Sequence, residues 1–149
     1  MFFFKLETKY FWNKIKQICI LLTNDDKKRK WIDIYTSLLY GYNNKLYDKN
    51  EVMERIINNC ATRVNITQRQ FLQLLGCTIL QFQQQLELQM PLYCSFINYG
   101  IEWNIDHLRP VSEFKELSED VLKILCHHSN LRPMTVKANS AKSGINRKK

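Results

Sequence analysis

At 149 residues, 45% of them hydrophobic and 12% aromatic, the chain is long enough for one buried core and too apolar to be disordered away from its ends. Four glycines and three prolines are too few for an all-β protein with many tight turns and favour a helix-rich chain. The net charge is +8 and the sequence pI about 9.3, with six basic residues and no acid between Arg132 and Lys149. A local positive field of that kind favours a polyanionic partner, although it equally suits a basic tail that keeps a protein soluble.

The opening, MFFFKLETKYFWNKIKQICILL, is interrupted by Lys5, Glu7, Lys9, Lys14 and Lys16. No apolar run approaches the roughly 20 residues a membrane span needs, and there is no basic start or small-residue cleavage site of a signal peptide. Leu6, Tyr10, Phe11, Ile15, Ile18 and Leu22 recur at helical spacing, which predicts an amphipathic helix over 6–22. A polar break over 24–30 follows, then a second apolar pattern over 31–40 and a turn at Gly41–Asn44. Asp48 or Asn50 can cap a helix over 51–63 with Val52, Ile56, Ile57 and Cys60 as its apolar stripe. Two capping boxes come next: Thr67 with Gln70 opens a helix that stops at Gly76, and Thr78 with Gln81 opens one that stops near Pro91. The pair has the outline of a helix-turn-helix, but its second helix has Glu87 as its only charge, so it reads as scaffold and not as a DNA reader.

The last third changes character. IEWNID (101–106) reads as a strand ended by Pro110, and Ser118 with Glu119 and Asp120 starts a helix that buries Val121, Leu122, Ile124 and Leu125. Asn130–Met134 can form a second strand, and Thr135 can cap a short helix over 136–143 terminated at Gly144. The cysteines (Cys19, Cys60, Cys77, Cys94, Cys126) are odd in number and widely spaced, as in reduced intracellular proteins. The expectation is a soluble intracellular protein with no membrane contact, resident in the cytoplasm or nucleus of a host cell if the source is viral.

Chemistry concentrates in the same third. Asp106 and His107 adjoin at a strand end, Asn130 precedes the second strand, and Asn139 lies nine residues on, with Lys142 a helical turn beyond. Phosphodiester hydrolysis needs a base for water and a cation that neutralises charge on the phosphate and the leaving 3′ oxygen. His107, with an ordinary pKa of about 6.5, can accept the proton. Asp106 and Asn139 offer oxygen ligands, which suit Mg²⁺ or Mn²⁺ better than Zn²⁺. Neighbouring residues on a regular strand face opposite ways, so a phosphate shared by Asp106 and His107 implies a distortion near Pro110.

Residues 75–144 resemble the phage- and bacterium-associated branch of the HNH endonucleases. The resemblance rests on LGCTILQFQQQLELQM, INYGIEWNIDHLRPVSEF, CHHSNLRPM and ANSAKSG, which hold a W-x-I-D-H core, an N-L-x-P strand and an N-x-x-K helix in order. It implies an α+β fold, with a C-terminal ββα-metal module over 101–149, a helical lead-in over 66–100, and a mostly helical N-terminal part over 1–65 of unknown role. It further implies a metal-dependent endonuclease that nicks or cuts DNA, with Asp106 and Asn139 as ligands of a single Mg²⁺ or Mn²⁺ and His107 as general base. Asn130 would brace the hairpin, and Asn139 would replace the family's final His. Lys142 would assist at the phosphate, and Arg109, Arg132, Lys137, Arg147, Lys148 and Lys149 are the expected nucleic-acid contacts. A homodimer and an RNA substrate stay open, as does a non-catalytic nucleic-acid-binding protein on the same fold. Met134-Thr135 and Ser140-Ala141 depart from the family's usual residues but touch no catalytic position.

Several residues have a plainer reading. Trp103 reads as core, His127 as structural, and His128 has no assigned role. Cys94, Cys126, His127 and His128 fit no zinc spacing, so no structural zinc is expected.

Overall fold

A computed structural model of the chain describes residues 48–92 and 94–147, with side chains to residue 142. The helices expected over 6–22 and 31–40 and the turn at 41–44 lie outside the described residues. The described part is α+β and mostly helical. Helices α1 (Lys49–Arg63), α2 (Gln68–Leu74) and α3 (Ile79–Gln89) precede strand β1 (Trp103–His107). Helix α4 (Glu119–Leu125) follows, then strand β2 (Leu131–Thr135) and helix α5 (Val136–Arg147). Single 3₁₀ turns lie at Phe96–Asn98, Val111–Glu113 and His128–Asn130. Among the described residues, no helix is long and apolar enough to cross a membrane.

Local chemistry accounts for most boundaries. Asp48 caps α1 by accepting from the Asn50 amide at 2.9 Å. Both expected capping boxes form: Thr67 and Gln70 open α2, and Thr78 and Gln81 open α3. Ser118 caps α4 through the Val121 amide. Thr135 Oγ1 accepts from the Ala138 amide at 3.1 Å and so starts α5. Three expectations need correction. β1 begins at Trp103, because Tyr99 to Glu102 form a turn in which the Gly100 amide donates to Trp103 O. Ile124 is 39% exposed, and of its helix only Leu125 is fully enclosed. Helix α5 runs through Gly144 to Arg147; a helical glycine costs only about 1 kcal/mol against Ala and does not by itself end a helix.

One core joins these elements. Val52, Met53, Ile56, Ile57 and Val64 of the α1 region pack in the same cluster as Phe71, Phe82, Leu86, Trp103, Leu125 and Leu131. Among the described residues, α1 therefore shares its core with the elements that follow residue 65. Trp103 is fully buried, edge-on to Phe96 and Tyr99, and its Nε1 donates to Ser95 O at 2.6 Å. An isolated two-stranded hairpin is marginal in water. This one is held by the core on one face and by α5 on the other.

Gly76 follows the α2 C-cap with φ +77°, where glycine carries no Cβ penalty. A Cβ there would lie 2.7 Å from His127 Nε2. Gly76→Ala is expected to cost about 1–3 kcal/mol through backbone strain and displacement of His127, read as a lower urea midpoint with an unchanged slope. A wild-type midpoint would refute the packing of His127 on this turn.

Candidate active site

The two strands pair antiparallel, with Asp106 opposite Arg132 and His107 opposite Leu131. The ladder continues regularly to Leu108, whose amide donates to Asn130 O at 2.9 Å. The distortion expected near Pro110 is therefore absent up to this point. Regular alternation directs Asn104, Asp106, Arg132 and Met134 toward α5, and Trp103, Ile105, His107 and Leu131 toward the opposite, core-facing side.

Asp106 is 6% exposed and sits between two cations. Arg132 Nε donates to Oδ2 at 3.1 Å, and Lys142 Nζ contacts both Oδ1 and Oδ2 at 3.1 Å. The same ammonium donates to the carbonyl of His107 at 3.1 Å. Three oxygens from the end of β1 thus converge on one positive charge. Asn139, half-buried, lies one turn before Lys142 on the same face of α5. Among the described residues no three His, Cys, Asp or Glu side chains are grouped to hold a metal ion. Carboxylate, carbonyl and amide oxygens are nonetheless the donors a hard divalent cation takes, and Lys142 already shows that the oxygen cluster accepts a cation. Metal entry would require that ammonium to move; its side chain is 29% exposed, on a long flexible stem.

His107 is half-buried, and its pKa is lowered from 6.5. Burial is the main cause; Asp106 opposes it, while the positive charges of Arg63 and Lys142 lower it further. The imidazole is thereby kept neutral at pH 7, the form a general base needs.

Asn130 is 6% exposed and closes the loop between the strands. Its Oδ1 accepts from the Arg109 amide at 2.8 Å, and its Nδ2 donates to Arg109 O and Leu125 O at 3.2 Å each. Backbone and side chain of one residue therefore fix the chain just beyond His107. On the other side of β2, Gln85 Nε2 donates to His128 O at 2.9 Å and Leu131 O at 3.2 Å, and its Oε1 meets His128 Nδ1 at 2.7 Å. The His128 amide also donates to Leu75 O at 2.9 Å. His128 is thus a structural residue tying α2 and α3 to β2, one that sequence reasoning left without a role. His127 bonds Ser129 Oγ through Nδ1 at 2.7 Å and stacks on His128.

The expected nucleic-acid contacts divide. Lys137 is exposed near the start of α5. Arg132 is engaged by Asp106, and Arg109 pairs with Glu113 at 2.9 Å while lying over the Phe114 ring. The side chain of Arg147, and Lys148 and Lys149, lie outside the described residues. Arg63, absent from the sequence-based site, is exposed at the end of α1. An open cleft of about 610 Å³ follows β2 past Leu108, Leu131, Pro133, Met134 and Ala138; its apolar walls suit a phosphate poorly.

Asn130→Ala leaves one amide and two carbonyls without their partner and is expected to cost about 2–3 kcal/mol, with Asn130→Asp no better because it turns the donor into a third acceptor. Urea unfolding monitored on Trp103 measures both, and a loss under about 0.5 kcal/mol would remove the bracing role. The pH dependence follows from His107 and His128, both lowered from 6.5, the latter by burial first and by His127 second. A histidine with a depressed folded-state pKa stabilises the fold fully above its unfolded value and loses that contribution as pH falls through the folded one. Stability should therefore drop as the pH falls below about 6.5, and the drop should shrink when His107 and His128 are replaced together by Gln.

Among known proteins, an uncharacterized protein of Acanthamoeba polyphaga mimivirus is 34% identical to the chain over 67 residues, covering 45% of this chain and 30% of the relative. The chain thus spans under a third of the relative it matches. No family model matches, and no solved structure matches either.

Proposed function

We propose that the protein is a metal-dependent endonuclease that hydrolyses DNA phosphodiester bonds on an HNH-type ββα module. The observation that carries this reading is the convergence of Asp106, the His107 carbonyl and the Asn139–Lys142 face of α5 at one end of a two-stranded hairpin braced by Asn130. Asp106 and Asn139 would hold Mg²⁺ or Mn²⁺ once Lys142 moves aside. When bound, the ion would offset charge on the phosphate and the leaving 3′ oxygen. His107 takes a proton from the attacking water, and its neutral state at pH 7 makes it competent to do so. Lys142, released from the carboxylate, is in position to contact a phosphate oxygen. Asp106 and His107 point to opposite faces of the last residues of β1, so the scissile phosphate is taken at the strand end, between the two. The products are a 5′ phosphate and a 3′ hydroxyl. The substrate's charge also fits the +8 net charge and the acid-free stretch after Arg132. Action inside a cell agrees with the odd number and wide spacing of the cysteines.

A second reading has its own observation. The Asp106 carboxylate is already satisfied by Arg132 and Lys142, a closed ion cluster that needs no metal. On that basis the fold would bind nucleic acid without cutting it. Supercoiled plasmid and single-stranded RNA, each with Mg²⁺, Mn²⁺ or EDTA, separate the readings. The nuclease reading expects metal-dependent nicking of the plasmid. His107→Ala should remove cleavage while leaving DNA binding within about twofold, and Asn139→Ala should raise the metal concentration required. Cleavage by His107→Ala at the wild-type rate would overturn the base assignment. Binding without cleavage under any metal would establish the second reading.

A further inference from the structure

An ammonium group has three N–H donors and no acceptor, and Lys142 directs its donors at three oxygens. These are Oδ1 and Oδ2 of Asp106 and the carbonyl of His107, each at 3.1 Å. Carboxylate and carbonyl oxygens are also what a hard divalent cation draws from a protein. Two cations cannot share oxygens this close, because their repulsion is poorly screened where water is excluded. A divalent ion on Asp106 therefore requires Lys142 to leave. Two features allow the departure. Arg132 holds Oδ2 from the paired strand at 3.1 Å, so the buried carboxylate keeps one counter-charge when Lys142 goes. The Lys142 side chain is 29% exposed and sits on a flexible four-carbon stem. A released ammonium loses all three acceptors. In the free protein only water replaces them, whereas a nucleic-acid phosphate offers a charge-assisted bond.

We propose that Lys142 is an exchangeable cation that makes metal binding and nucleic-acid binding reinforce each other. The inference rests on the nuclease reading for the metal and the phosphate, and deepens it by naming how that site is regulated. Without nucleic acid, Lys142 keeps the oxygens and a divalent ion binds weakly. A phosphate that takes the ammonium opens the oxygens, and an ion at the oxygens frees the ammonium for a phosphate. Each ligand then raises the affinity of the other by the same factor, as linkage requires. A fixed Lys142 that only pins α5 to the hairpin would stabilise the fold as well, but it would leave the two affinities independent.

The experiment uses the full chain carrying His107→Ala, so that a duplex stays intact during titration; the Lys142 contact at this residue is to the backbone carbonyl. Mn²⁺ binding is followed by loss of the free-ion EPR signal. Binding of a short fluorescein-labelled DNA duplex is followed by anisotropy at constant ionic strength, in EDTA and in saturating Mn²⁺. Lys142→Gln, Lys142→Arg and Lys137→Gln are made in this background, with melting temperatures as the check on folding. Without DNA, Lys142→Gln should bind one Mn²⁺ about tenfold more tightly, the factor for a site open roughly one part in ten. Lys142→Arg keeps a cation on the oxygens and should stay weak. Mn²⁺ should tighten duplex binding about fivefold or more where Lys142 is present, and not in Lys142→Gln. Lys137, exposed on the same helix, is the control: Lys137→Gln should weaken duplex binding by one factor with and without Mn²⁺. Equal Mn²⁺ affinity in the parent and Lys142→Gln, or a Mn²⁺ effect on duplex binding that survives in Lys142→Gln, would overturn the proposal. Should Lys142→Gln unfold, Mn²⁺ titration of the parent with and without duplex decides, the uptake of Mn²⁺ by duplex alone being subtracted. An affinity that the duplex leaves unchanged overturns the proposal. None of these measurements contains a cleavage step. Coupling in a protein whose wild type never cuts would sink the nuclease reading and uphold the exchange; cutting without coupling would do the reverse.

Discussion

The carboxylate of Asp106 is nearly excluded from water, and a buried charge without partners costs several kcal/mol. The end of the hairpin is organised around meeting that cost. Arg132 supplies a partner from the opposing strand, and Lys142 supplies a second from α5. The ionic cluster therefore ties three elements of the C-terminal part together, and α5 reaches its place on the sheet partly because Lys142 has this destination. The same cluster makes the site electrostatically two-sided. A carboxylate attractive to cations lies on one face of β1, and a desolvated, neutral imidazole lies on the other.

Two side-chain amides hold the strands in this arrangement. Asn130 bonds backbone groups at Arg109 and Leu125, which fixes the chain immediately after His107. Gln85 reaches from α3 to the carbonyls of His128 and Leu131 and locks the start of β2 onto the helical layer. A sheet of two strands has little intrinsic stability. Its geometry is inherited from the helices through these amides and from the core around Trp103.

Much of the local structure was legible because it rests on short-range chemistry. The caps at Thr67, Thr78, Ser118 and Thr135 each depend on a side chain three residues from its amide, so composition and spacing suffice. Asn130 was placed by resemblance, and its bonds to the loop after β1 give that placement a physical content. Strand limits and the end of α5 were less legible. Whether Glu102 pairs or turns, and whether a helix continues through Gly144, depends on what packs alongside. His128 was missed because its partners Gln85 and Leu75 are more than 40 residues away in sequence.

By itself the sequence determined the helix-rich composition, the capped helices and two strand segments at the right spacing, all of which follow from periodicity and turn chemistry along the chain. Asp106, His107, Asn130, Asn139 and Lys142 were singled out as a proposed site by their spacing and by a family resemblance. Only the tertiary structure decided that α1 belongs to the same core as the hairpin and that Lys142 occupies the oxygen cluster at Asp106. It also decided that Asp106 and His107 diverge to opposite faces of β1. The reason is that burial, charge compensation and strand facing are set by contacts between segments distant in sequence, and no local pattern encodes the partner.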